Sequence, residues 1–254
     1  MGKYLVLTLC LFNLPVLAQV FDVPYADQTA TRTLLVEAPK SRAVVLLFPG
    51  GGGLLRLHEG GSTRNKHTFV RSLDLWSQYQ INAVLVDTPY DLGDVRRGDL
   101  RGQADHLQRV NEVLNFYQEK LHLPIWIFGH SMGTSTATHF ANSINPSSKA
   151  LSGIIIAGTI KTASLNDIVV LPVLAIHHAQ DSCPSSLPEN ASRIINGRSK
   201  HLVSQLEMID GGISEGNVCD SFAYHGFNQT EPELVKRAAQ FILSHYSFIL
   251  FPAS

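Results

Sequence analysis

The sequence predicts an α/β fold: a mainly parallel central sheet with helices on both faces. Three observations carry that expectation. Short, nearly continuous apolar runs rich in β-branched residues recur along the chain, as in strands buried on both faces. Longer stretches between them carry apolar residues at spacings of three and four. The two patterns alternate, which calls for crossover helices and not for separate all-α and all-β parts. With 254 residues, 44% of them hydrophobic and 16% charged, the composition is globular and allows one domain with a sizeable core.

Taken in order, the first eighteen residues read as a secretion signal. Lys3 supplies a positive start, Tyr4 to Phe12 is apolar, Pro15 breaks the run, and Val16-Leu17-Ala18 precedes a cut before Gln19. The apolar stretch is shorter than the roughly 20 residues that a spanning helix needs. The expectation is therefore a signal peptide over residues 1–18, a single domain over 19–254, and export to the periplasm or the medium, with no stable membrane insertion after cleavage. The mature chain keeps two cysteines, Cys183 and Cys219, an even number in an oxidising compartment, so a disulfide between them is expected.

Strands are predicted at Ala43 to Phe48 (AVVLLF), Ala83 to Val86 (AVLV), Ile125 to Phe128 (IWIF), Gly153 to Ala157 (GIIIA) and Val169 to Ile176 (VVLPVLAI), with a weaker one at Leu202 to Ile209. Helices are predicted at Thr68 to Tyr79, Gln103 to Glu119 and Met132 to Asn142. Thr230 and Glu233 read as a capping box that opens a last helix, whose apolar face carries Leu234, Ala238, Phe241 and Ile242. Only Gly158 to Asp167 separates the GIIIA strand from the next one, too little for a helical lid.

Composition also excludes. Twenty basic and twenty-one acidic residues leave a formal net charge of −1, and no basic run is long enough to follow a phosphate backbone, so nucleic acid is not an expected partner. There is no H-E-x-x-H pair and no zinc-type Cys/His spacing, so neither a metal nor another cofactor is expected.

The chemistry centres on Gly129-His130-Ser131-Met132-Gly133, a G-x-S-x-G that directly follows the IWIF strand and directly precedes a helical run. A serine on so tight a strand-to-helix turn needs small neighbours, and the turn lifts its hydroxyl above the sheet edge beside a helix N-terminus. Acyl transfer further needs two backbone N–H donors for a tetrahedral oxyanion. Met132, next after the serine, is one candidate; the glycine run Phe48-Pro49-Gly50-Gly51-Gly52-Gly53 supplies the other, Gly51 or Gly52.

With these motifs the chain resembles the α/β-hydrolase superfamily and, more loosely, small exported bacterial serine hydrolases without a cap domain. The resemblance implies a Ser-Asp-His order. It points to Asp181, in the loop after VVLPVLAI, as the acid, and to His225, in Tyr224-His225-Gly226-Phe227, as the base. Asp167, Asp210 and Asp220 are the alternative acids. His177 and His178 adjoin the acid loop, but adjacent residues of an extended segment face opposite ways; His130 fits better as packing beside the serine than as the base. The implied function is that of an exported serine hydrolase acting on a small-molecule ester or acyl substrate, with a carboxylic ester as the leading reading. Acyl transfer, thioester cleavage and peptide cleavage use the same residues, and a binding protein that retains the fold without turnover is the alternative from another class.

Overall fold

The computed structural model describes residues 17–26, 28–89 and 100–246. Its sheet has eight strands: β1 (Leu17–Tyr25), β2 (Gln28–Glu37), β3 (Ala43–Phe48), β4 (Ile81–Val86), β5 (Ile125–His130), β6 (Gly153–Ala157), β7 (Val173–His178) and β8 (Ser204–Ile209). Their spatial order is β1-β2-β4-β3-β5-β6-β7-β8. From β4 to β8 every pairing is parallel, and β1 and β2 add an antiparallel edge, β2 running against β4.

The six strands read from sequence are all present. Every residue of β3, β4, β5, β6 and β7 is buried, which is why each reads as a continuous apolar run. The antiparallel pair β1 and β2 had no such signal, because residues such as Gln28, Thr29 and Arg32 on β2 stand partly or fully exposed at the sheet edge. Most of the expected signal peptide, residues 1–16, lies outside the described residues; Leu17 and Ala18 pair with Glu37 and Val36 at the head of β1. The strand expected from Val169 starts at Val173. Pro172 precedes it and has no N–H to donate to a ladder, and the carbonyls of Val169 and Leu171 are taken instead by the Arg198 guanidinium.

Helices α1 (Thr68–Arg71), α2 (Ala104–Leu121), α3 (Gly133–Ser143), α4 (Pro188–Gly197) and α5 (Glu231–Ser244) complete the layers. The helix expected over Thr68 to Tyr79 is split: α1 stops at Ser72, and a 3₁₀ segment, Leu73–Tyr79, follows. Helix α4 is ten residues long and buries only Ala191 and Ile194, too few apolar residues to stand out in sequence. The capping box at Thr230 does not form. Thr230 occupies the N-cap of α5 with φ −117° and ψ 12°, away from the extended backbone that aims a capping side chain, and its hydroxyl makes no capping bond; Glu233 pairs with Lys236 and Arg237 instead.

The sheet has a core on each side. Val45 and Leu47 of β3 pack with Phe69, Trp76 and the α5 residues Leu234, Ala238 and Ile242; the alternating Val44, Leu46 and Phe48 pack with Val113, Leu114 and Tyr117 of α2 and Phe140 of α3. Fully burying a side chain such as Leu46 or Leu47 contributes roughly 1.5–3 kcal/mol. The link from β6 to β7 carries no helix, and no cap domain stands over the sheet among the described residues. No described helix is long and apolar enough to cross a membrane.

Candidate active site

Ser131 sits between the end of β5 and the start of α3 with φ +53°, a left-handed backbone that a residue other than glycine adopts only under constraint. The constraint is visible. Its N–H donates to the carbonyl of Ala157 at the end of β6 (2.9 Å), and its carbonyl accepts from the N–H and hydroxyl of Thr134 in the first turn of α3 (2.9 and 2.6 Å). A Cβ on Gly129 would collide with the Gly133 carbonyl, and one on Gly133 with the Phe48 carbonyl. A Cβ on Gly50 would lie 2.8 Å from that of Ser131. Small residues at these three positions let β3, β5 and α3 meet under the serine.

Two loops at the same sheet edge bring the partners. The His225 side chain, on a 3₁₀ turn (Tyr224–Gly226), places Nε2 2.9 Å from Ser131 Oγ and Nδ1 2.8 Å from Asp181 Oδ2. Gly158, with φ +53°, leaves room for this ring: a Cβ there would stand 3.2 Å from His225 Cε1. Asp181 follows β7 and is buried with His225. Its Oδ1 accepts from the Cys183 N–H (2.9 Å), while Oδ2 also faces His177 Nε2 at 3.1 Å. Burial alone would raise the Asp181 carboxyl. Hydrogen bonds from His177 and from His225, with the Cys183 N–H, outweigh it and hold the group well below the usual carboxylate range. The structure thus brings Ser131, Asp181 and His225 together; the alternative acids Asp167, Asp210 and Asp220 stand exposed and make no bond to His225.

The glycine loop is closed by a turn in which the Gly53 N–H donates to the Gly50 carbonyl at 3.1 Å. The N–H groups of Gly51, Gly52 and Met132 make no hydrogen bond among the described residues, so all three predicted donors are available. Two groups that the sequence did not single out hold this loop. The Gly50 nitrogen lies 2.9 Å from His67 Nε2, and the buried Arg101 guanidinium donates to the carbonyls of Gly51 (2.7 Å) and Pro49 (3.3 Å). His67 Nε2 in turn lies 3.0 Å from His130 Nδ1, and His130 Nε2 donates to the His225 carbonyl at 2.8 Å. No local motif marks His67 or Arg101, since both reach the site from other elements. Burial pushes His130 down to about 3 and Arg101 down to about 9. A cavity of about 930 Å³ begins directly after the glycine loop, where Leu54, Leu55, Asp87 and Thr88 are among its walls.

Cys183 and Cys219 form a disulfide with Cα atoms 4.8 Å apart, tying the loop of Asp181 to the one that precedes His225. Among the described residues, no group of three or more His, Cys, Asp or Glu side chains is arranged to hold a metal ion.

No protein-family model matches the sequence, and no curated protein matches it. Solved structures do. A dienelactone hydrolase from Anabaena variabilis is 15% identical with a TM-score of 0.63, over 90% of this chain and 98% of its own. A serine hydrolase without a lid from Xanthomonas campestris is 16% identical with a TM-score of 0.59, over 96% and 98%. A carboxyl esterase from Bacillus coagulans is 13% identical with a TM-score of 0.64, over 91% and 100%. At such identities the likeness speaks for the fold, and it spans nearly the whole length of both partners. Strand order, elbow and neighbours agree: this chain has the α/β-hydrolase fold, without a cap domain among the described residues.

Proposed function

We propose that this protein is an exported serine hydrolase that cleaves small carboxylic esters through a covalent acyl-enzyme. The observation that carries the reading is the unbroken hydrogen-bonded chain from Ser131 Oγ through His225 to Asp181, at 2.9 and 2.8 Å. Ser131 attacks the ester carbonyl while His225 Nε2 takes its proton. Asp181 holds His225 Nδ1–H and stabilises the imidazolium. Met132 and either Gly51 or Gly52 donate their N–H groups to the oxyanion, aided by the N-terminus of α3. His225 then passes its proton to the leaving alcohol, and a water activated by the same ring releases the acid. Likeness to a dienelactone hydrolase and a carboxyl esterase supports an ester substrate. The sheet edge, uncapped among the described residues, suits a small one. The disulfide is compatible with export.

Kinetics with p-nitrophenyl esters test the reading. Acetate or butyrate should turn over faster than long-chain esters. Ser131→Ala and His225→Ala should each lower kcat by about 10⁴-fold or more, and Asp181→Asn by less. Full activity in Ser131→Ala would overturn the assignment, and activity that rises steadily with chain length would overturn the small-substrate reading.

A further inference from the structure

Asp181 accepts hydrogen bonds from two imidazoles. Besides His225, its Oδ2 faces Nε2 of His177, a wholly buried residue of β7 four places earlier in the chain. The same nitrogen lies 2.9 Å from the carbonyl oxygen of Ser186. Both of its neighbours are acceptors, so Nε2 carries the ring proton and shares it between them. Nδ1 is buried without a hydrogen-bond partner among the described residues. An apolar side chain of similar size would fill this position without an idle, desolvated nitrogen. What it would lack is the donor that Asp181 shares with the Ser186 carbonyl.

We propose that His177 is a positioning residue of the candidate active site, the fourth member of a chain Ser131–His225–Asp181–His177 that fixes the carboxylate and moderates its hold on the base. The proposal rests on the serine-hydrolase reading above. A carboxylate pivots about its Cβ–Cγ bond unless both oxygens are tied. Oδ1 is tied by the Cys183 N–H, whereas the bond from Oδ2 to His225 must adjust as that ring gains and loses a proton. His177 holds Oδ2 throughout the cycle. A second donor on Oδ2 also draws off part of its negative charge, so the His225 imidazolium is stabilised less than by an otherwise unbonded carboxylate. The adjacent His178 has no part in this, because it stacks on Tyr224 at 4.6 Å and donates to the Gly211 carbonyl. The other titratable or charged groups around the chain are His130, with His67 behind it, and Asp210 near His178; Arg71 and Arg101 act on His67.

Three proteins test this: wild type; His177→Gln, whose amide nitrogen reaches the place of Nε2; and His177→Met, which has similar bulk and no donor. In the Met variant Asp181 becomes more basic, the protonated base is favoured, and the acidic limb of kcat/KM moves to higher pH by about half a unit or more, while kcat falls about 3- to 10-fold at unchanged KM. The Gln variant should restore most of both. Overturning results are wild-type limb and kcat in the Met variant, or a Gln variant as impaired as the Met variant at a wild-type melting temperature. If the Met variant does not fold, ¹⁵N-histidine NMR of the wild type decides: the neutral His177 ring must carry its proton on Nε2, and the Nδ1–H tautomer overturns the proposal. The same spectra follow His225 without turnover. A wild type that cleaves no ester therefore counts against the hydrolase reading, whereas an unmoved His225 titration in the Met variant counts against His177.

Discussion

Among single residues, three buried histidines stay neutral: His67 and His130 beside the candidate site, and His106 on α2, whose Nε2 lies 3.0 Å from the Thr136 hydroxyl. His130 and His106 are pushed down to about 3, and His67 falls well below the ordinary histidine value, in each case chiefly by burial. In the unfolded chain these rings take up protons near pH 6.5. Between that value and the depressed folded values the unfolded state binds more protons, so stability rises with pH across this window and is lost as pH falls below about 6.5. Each ring contributes a slope of up to about 1.4 kcal/mol per pH unit. Asp181 acts in a lower window: its hydrogen bonds stabilise the fold above the unfolded carboxylate value of 3.8, and that contribution is lost as pH falls further. The melting temperature should accordingly begin to fall below about pH 6.5, well before the carboxylates titrate. A melting temperature that stays level from about pH 8 to about pH 4.5 would mean that His67, His106 and His130 are not held neutral by burial.

Among the structural elements, the bond between Cys183 and Cys219 joins two loops that the sheet alone does not hold to each other. It closes a span of 36 residues. The chain-entropy model gives about 4 kcal/mol for such a loop. Replacing both cysteines with serine should lower the melting temperature by several degrees, and also kcat, because Asp181 and the segment before His225 lose their common anchor. Unchanged kcat in the double variant would confine the bridge to a role in stability. What could be read ahead of the structure divides by burial. The fully buried strands β3, β5, β6 and β7 announce themselves as apolar runs, and the short glycine-flanked turn around Ser131 follows from its letters. The edge hairpin of β1 and β2 and the helix α4 carry polar residues on an exposed side, so their apolar signal is thin. The Thr230 capping box failed because backbone angles, which no four-letter pattern contains, decide whether a hydroxyl meets an N–H.

Across the molecule, a mainly parallel sheet collects the C-terminal ends of β3, β5, β6 and β7 at one edge, and each end delivers one part of the site: the glycine loop, the elbow, the space that Gly158 leaves for His225, and Asp181. The elbow motif marked Ser131, and the resemblance to the superfamily pointed to Asp181 and His225, which stand within hydrogen-bond reach of one another in the order Ser131–His225–Asp181. The supporting contacts from His67, Arg101 and His177 were not legible, because they depend on side chains converging from different elements. If this convergence makes Ser131 a nucleophile, the folded protein should react with a fluorophosphonate. Peptide mass spectrometry of the labelled protein should find a single adduct, on Ser131, that is lost in Ser131→Ala and strongly slowed in His225→Ala. An unlabelled wild type, or a wild-type rate of labelling in either variant, would rule out Ser131 as the nucleophile of a Ser131–His225–Asp181 triad.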